Sequence, residues 1–154
     1  MHIESIAVFP GSFDPVTIGH IDLVRRATSL FSHVIVGVGS NSEKKYMFNE
    51  TQRVAMATTA FADVERVTVK PYTGLTVDFC KLNDARFIIR GIRSASDYEF
   101  EKSISVVNHA LNPVIETVFL LSDPKHESIS STIVRDIIRN GGDVSGFLPP
   151  SVRI

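Results

Sequence analysis

The chain has 154 residues, 44% of them hydrophobic, with sixteen Lys and Arg against seventeen Asp and Glu and a formal charge of −1. That length and apolar content suit one domain with a substantial core, and near-neutrality excludes a global field for nucleic acid or an anionic membrane. No apolar run approaches a membrane span, and Ile6-Ala7-Val8-Phe9 lacks the basic flank of a secretory signal, so a cytoplasmic protein is expected.

Apolar β-rich runs alternate with segments of helical period in the order βαβαβαβαβα. This predicts an α/β fold: a single doubly wound, Rossmann-like domain over residues 1–154 with a five-stranded parallel sheet. Strands are expected near residues 5–9, 33–39, 64–70, 86–90 and 117–121, each continuously apolar and therefore buried. Helices should start at Thr17, at Asn49 with Gln52 three residues on, at Thr76, and at Ser96 with Glu99 three residues on; Gly141-Gly142 ends the last. The longest irregular stretch, residues 40–48, carries Lys44-Lys45 and follows the second strand, which places it at the carboxyl edge where ligands bind. Cys80 is the single cysteine; with Val77 and Lys81 it is expected on one helix face, as a small core residue and not a nucleophile. His2, His20, His33, His109 and His126 show no paired ligand spacing, so no metal site is expected from side chains.

Three short stretches carry phosphate chemistry. Gly11-Ser12-Phe13-Asp14-Pro15-Val16-Thr17-Ile18-Gly19-His20 runs from the first strand into the first helix, where Gly11 permits a tight turn and close approach, and Thr17 caps the helix. His20 then stands at a helix N-terminus, where an imidazole can donate to a phosphate oxygen. Ile129-Ser130-Ser131-Thr132 opens the last helix with more hydroxyls than one cap needs, which suits an anion nest. Arg90-Gly91-Ile92-Arg93 sets two arginines at the end of the fourth strand, where a guanidinium can hold phosphate in bidentate fashion, ahead of Asp97, Glu99 and Glu101 on the next helix.

In order and spacing, residues 9–22, Lys44-Lys45 with Met47-Phe48, Gly74-Leu75-Thr76-Val77, residues 89–94 with 97–101, residues 129–132, and Gly142-Asp143 with Phe147-Leu148-Pro149 resemble bacterial phosphopantetheine adenylyltransferase over nearly the whole chain. The resemblance implies transfer of the AMP moiety of ATP to 4′-phosphopantetheine, giving dephospho-coenzyme A and pyrophosphate in coenzyme A biosynthesis. It implies Mg2+ with the ATP, coenzyme A as feedback inhibitor, and a homohexamer. By the same resemblance His20 stabilises the transition state at the α-phosphate, with Lys44 and Arg93 counted beside it as catalytic charges. Ser12, Lys44, Thr76 and Arg90 bind the acceptor. ATP lies along Ser12, Phe13, His20, Gly91, Ile92, Arg93, Glu101, His126, Glu127, Ser128, Ile129, Ser130, Ser131 and Thr132. His126 stands where the family more often has tyrosine or tryptophan. The nearest rival is an adenylyltransferase of the same superfamily acting on nicotinamide mononucleotide; the Thr17-Ile18-Gly19-His20 form and the arginine spacing argue against it. A rival of another class is a non-catalytic nucleotide-binding module.

Overall fold

A computed structural model describes residues 4–154; His2 lies outside the described residues. The order is β1 (Ile6–Gly11), α1 (Ile18–Ala27), β2 (His33–Ser40), α2 (Glu50–Ala60), β3 (Val67–Thr73), α3 (Thr76–Leu82), β4 (Phe87–Ile92), α4 (Ala95–Leu111), β5 (Glu116–Leu121) and α5 (Ser131–Arg139), with a 3-10 turn at Pro124–His126. The five strands are parallel in the order β3-β2-β1-β4-β5, so the chain reverses direction across the sheet between β1 and β4. That reversal is the topological switch point, where open α/β sheets bind ligands.

The side-chain period of two divides each central strand between two cores. Ala7, Phe9, Val34, Val36, Val38 and Ile89 pack with Leu23, Val24 and Ala27 of α1 and Ala57 and Ala60 of α2. Val8, Ile35 and Ile88 pack on the opposite face with Val77, Phe79 and Cys80 of α3. Burial pushes the Cys80 thiol up to about 12, so it stays protonated. Lys81, expected on the same face, is exposed.

Several expected boundaries move for local reasons. β3 begins at Val67 because Val64 still donates to Phe61 O in the turn after α2 and Arg66 holds a left-handed φ of 62°. β3 and β5 are edge strands and only partly buried, against the expectation that all five would be covered. The cap of α4 is Ser94, whose Oγ accepts from Asp97 N, in place of Ser96 with Glu99; the cap of α3 is Leu75, with Thr76 the first residue inside. β4 continues through Arg90 and Gly91 to Ile92, two residues past its expected end, and a Cβ on Gly91 would sit 2.5 Å from Leu23 Cδ1. Glycine there lets α1 lie against the sheet.

Candidate active site

β1 and β4 are adjacent but pair only at Ala7–Phe87 and Val8–Ile88, whereas β1 and β2 pair in register from Ile6 to Gly11. Pro10 accounts for the split. The N–H and C=O of a strand residue point the same way, and Pro10 O faces β4, so its missing N–H is one that a β1–β4 ladder would need. Arg90 fills the gap: Nη1 donates to Pro10 O at 2.7 Å, while Nε and Nη2 form a bidentate pair with Glu101 Oε2 and Oε1 at 2.8 and 2.7 Å. Three of the five N–H donors of Arg90 are thus used to fix its plane, leaving two for a ligand. Glu101 is buried, and both of its oxygens are engaged by Arg90. Expected among the ATP ligands, Glu101 holds the plane of Arg90 through both of its oxygens.

Above the split, Phe13 adopts a φ of 49° and turns its ring into the core, where it is 2% exposed. The ring of Phe13, a residue expected along the ATP, packs edge-on to His20 at 4.9 Å and to Phe9 at 5.8 Å. Gly11 is needed for this arrangement, since a Cβ there would come within 3.1 Å of the Phe13 ring. The carboxylate of Asp14, buried behind the loop, accepts from Met47 N and Phe48 N, both at 2.9 Å.

His20 is part of its own helix cap. Thr17 N–H donates to Nδ1 at 2.9 Å, so this nitrogen is an acceptor and the ring proton belongs on Nε2. Burial, with the Arg90 and Arg93 charges close by, lowers its pKa from 6.5 to about 4. The ligand-free ring is therefore neutral at pH 7, a hydrogen-bond donor through Nε2. Ile18 N donates to Phe147 O at 3.0 Å and His20 N to Thr17 O at 3.1 Å, which leaves Gly19 with an open N–H at the helix start. A Cβ on Gly19 would meet only ordinary contacts, Thr17 Oγ1 at 3.6 Å and His126 Cβ at 3.8 Å. Packing therefore does not require glycine in this turn.

The N-terminus of α5 meets the same loop. Ser131 Oγ donates to Pro15 O and Arg135 Nη1 to Asp14 O, both at 2.8 Å, so the two helix starts expected to converge do so. Ser130 Oγ accepts from Ile133 N at 3.2 Å as the cap. In the ligand-free protein the Ser131 proton is thus committed to Pro15 O, while Ser130 serves as the cap. Thr132 accepts from Arg135 at 3.3 Å and keeps its own proton. Arg93 bridges β4 to this segment: Nε donates to Asp97 Oδ2 at 3.1 Å and Nη1 to Ile129 O at 3.4 Å.

Ser12, Lys44, Thr76 and Arg90 line one cleft of about 300 Å3 with Glu101 and Tyr72. Tyr72 lies over Gly37 and Gly39, and its hydroxyl bonds Thr76 Oγ1 at 2.9 Å. On the other side, Ile92, Arg93 and Glu127 line a cavity of about 730 Å3 with Tyr98 and Leu121. His126 faces a different cavity, of about 700 Å3, between Ile18, Ile21 and Pro149-Pro150. Its Nδ1 is buried without a partner. Ser128 is exposed at the surface, and Gly91 is covered by Leu23. Sequence reading overlooked Arg53, Tyr72 and the roles of Pro10 and Asp14. Arg53 had a signal: it precedes Ala57 and Ala60 by four and seven residues, in register with the buried face of α2.

A cytidylyltransferase-like family model matches residues 8–137. Phosphopantetheine adenylyltransferase of Flavobacterium psychrophilum is 49% identical over 148 residues, covering 96% of this chain and 97% of that one. The enzyme of the same name from Vesicomyosocius okutanii is 42% identical over 98% of this chain and 96% of its own, and that from Moorella thermoacetica 43% over 96% and 92%. Among solved structures, a bifunctional NMN adenylyltransferase/ADP ribose pyrophosphatase from Francisella tularensis superposes with a TM-score of 0.70 at 19% identity, covering 95% of this chain and 45% of that chain. That likeness is one of fold. Identity of this degree over matching lengths, on a chain whose switch-point cleft gathers the expected Lys44 and Arg90, establishes that it belongs to the phosphopantetheine adenylyltransferase family of cytidylyltransferase-like proteins.

Proposed function

We infer that the cleft transfers the adenylyl group of ATP to the phosphate of 4′-phosphopantetheine, releasing pyrophosphate and dephospho-coenzyme A. The observation that carries this reading is the Arg90–Glu101–Pro10 arrangement at the strand split, which leaves two unspent guanidinium N–H donors on Arg90 at the cleft that Lys44 also lines. The acceptor phosphate oxygen attacks the α-phosphorus in line and pyrophosphate leaves from the opposite side. No enzyme nucleophile takes part. The acceptor phosphate is ionised near neutrality and needs no strong base, so the protein's work is to hold two anions together and to meet charge as the α-phosphate changes geometry. His20 donates through Nε2 to the α-phosphate, Lys44 and Arg90 hold the acceptor phosphate, and Gly19 N–H, Arg93 and the α5 start meet the triphosphate. The adenine occupies the side lined by Ile92, Arg93 and Glu127.

Magnesium enters with ATP as part of the substrate. Among the described residues no three His, Cys, Asp or Glu groups come together. Coenzyme A carries the product's pantetheine arm and adenylate and competes for the same cleft. Its inhibition should be relieved by raising the substrates. The oligomer forms through α4, which buries Glu101 alone and exposes Phe100, Ile104, Val107 and Leu111 along one stripe. A hexamer built on this stripe should dissociate in a Phe100→Asp, Val107→Asp double variant, measured by light scattering. No helix among the described residues is long and apolar enough to cross a membrane.

The test is formation of dephospho-coenzyme A and pyrophosphate by the purified protein from ATP, Mg2+ and 4′-phosphopantetheine. Pyrophosphate released instead with nicotinamide mononucleotide would assign the other acceptor. ATP binding without turnover on either would leave only a nucleotide-binding module.

A further inference from the structure

Arg53 is 1% exposed, yet its guanidinium faces no carboxylate within ion-pair distance among the described residues. A buried cation is costly unless fully hydrogen-bonded. Here Nη1 donates to Ser12 O at 2.7 Å and to Gly39 O at 2.9 Å, Nε donates to Phe48 O at 3.2 Å, and Nη2 donates to Ser40 Oγ at 2.8 Å. Ser40 in turn donates to Glu50 Oε2 at 2.6 Å, which links the charge to an acid at the surface. The guanidinium also lies 3.9 Å from the Tyr46 ring centroid, and the Tyr46 hydroxyl accepts from Asn41 N at 2.8 Å.

These contacts reach three separate chain segments. Ser12 belongs to the loop after β1, Gly39 and Ser40 end β2, and Phe48, Tyr46 and Asn41 belong to the loop that carries Lys44. A strand ladder joins β1 to β2 but cannot control the loops beyond their ends. We propose that Arg53 is a positioning residue that fixes the Lys44 loop against the Ser12 loop, so that Lys44 keeps a constant place relative to the rest of the acceptor site. It touches neither substrate. A planar fork with several donors can join three carbonyls at set angles, whereas a lysine ammonium in the same place keeps the charge but not the plane.

The inference rests on the adenylyl-transfer reading, and wild-type product formation is measured first, so failure of that reading is seen separately. Arg53→Met and Arg53→Lys are then compared per mole of folded protein, with folding checked by circular dichroism. Both variants should raise the KM for phosphopantetheine at least tenfold and lower kcat/KM for it by about 10²-fold, with the KM for ATP within about twofold, since misplacement near 1 Å carries a penalty of that order. A purely structural role would lower the melting temperature and leave both KM values unchanged, which would overturn the proposal. So would equal rises in both KM values, or recovery of the wild-type KM in Arg53→Lys, which would mean that charge alone matters. Should neither variant fold, Glu50→Ala decides. Cutting the relay at the surface should raise the acceptor KM by about threefold, and an unchanged value would overturn the assignment.

Discussion

The helices α1 and α5 start side by side over one loop, yet their first turns are built differently. In α1 the group that caps the helix is His20 itself, held by Thr17 N–H so that its free nitrogen carries a proton. In α5 the cap is Ser130, a residue of ordinary capping type, and Ser131 is used to dock the helix on Pro15. Both ends carry the positive end of a helix dipole. Only α1 adds an imidazole N–H donor, on His20 Nε2. A helix start becomes chemical when its cap has a second functional face, and remains an anion cradle when the cap is consumed by the backbone.

This contrast is most exposed at His20. His20→Ala should lower kcat by roughly 10²- to 10³-fold, as for loss of one transition-state donor, with ATP affinity by calorimetry nearly unchanged. Turnover at the wild-type rate in a folded variant would reduce α1 to a second cradle. Replacing Ser130, Ser131 and Thr132 together with alanine should have the opposite profile, weakening ATP by about tenfold relative to AMP through lost charge-assisted bonds. The same variant should lose about 1 kcal/mol of stability with its cap, read from urea titration. Equal loss of ATP and AMP would make α5 purely scaffolding.

Gly19 separates packing from approach. Because a Cβ on Gly19 would meet only ordinary contacts, Gly19→Ala should stabilise the ligand-free protein by about 0.5–1 kcal/mol through helix propensity, while weakening ATP. An alanine variant that binds ATP normally would show that the triphosphate does not come close to α1. The smallest effect is in the titration of His20 in the ligand-free protein. Its imidazole carbon-bound proton signals in NMR should stay unshifted through pH 6.5 and move only near pH 4. Because the folded value lies below the unfolded one, the unfolded state binds more protons between these limits. The His20 contribution therefore favours folding above about pH 6.5 and is lost as pH falls toward 4. An ordinary titration near 6.5 would mean that the Nδ1 bond and the burial are not maintained in solution.

Periodicity alone carried the α/β order and the parallel sheet, because continuous apolar runs and helical spacing are local properties of the chain. The caps at Thr17, Asn49 and Ser130 are also local, each needing only a side chain within three residues of its N–H. Sequence could therefore mark the two helix starts and name His20, but it could not say that Thr17 N–H sets the tautomer of His20 or that burial, with Arg90 and Arg93 close by, lowers its pKa. Those depend on groups brought together from distant parts of the chain. For the same reason the pairing of both Glu101 oxygens with Arg90, and of the Ser131 hydroxyl with Pro15 O, could not be read from the sequence. Arg53 lay deepest in this respect, since a charge on an apolar helix face has no local explanation. Its partners lie 5 to 41 residues away in sequence and converge only when β1, β2 and α2 have packed. Local patterning determined which elements form and where they start; the split between β1 and β4, and what each polar group is left to donate, were decided by tertiary packing, because a hydrogen bond is allocated among all the partners the fold brings within reach.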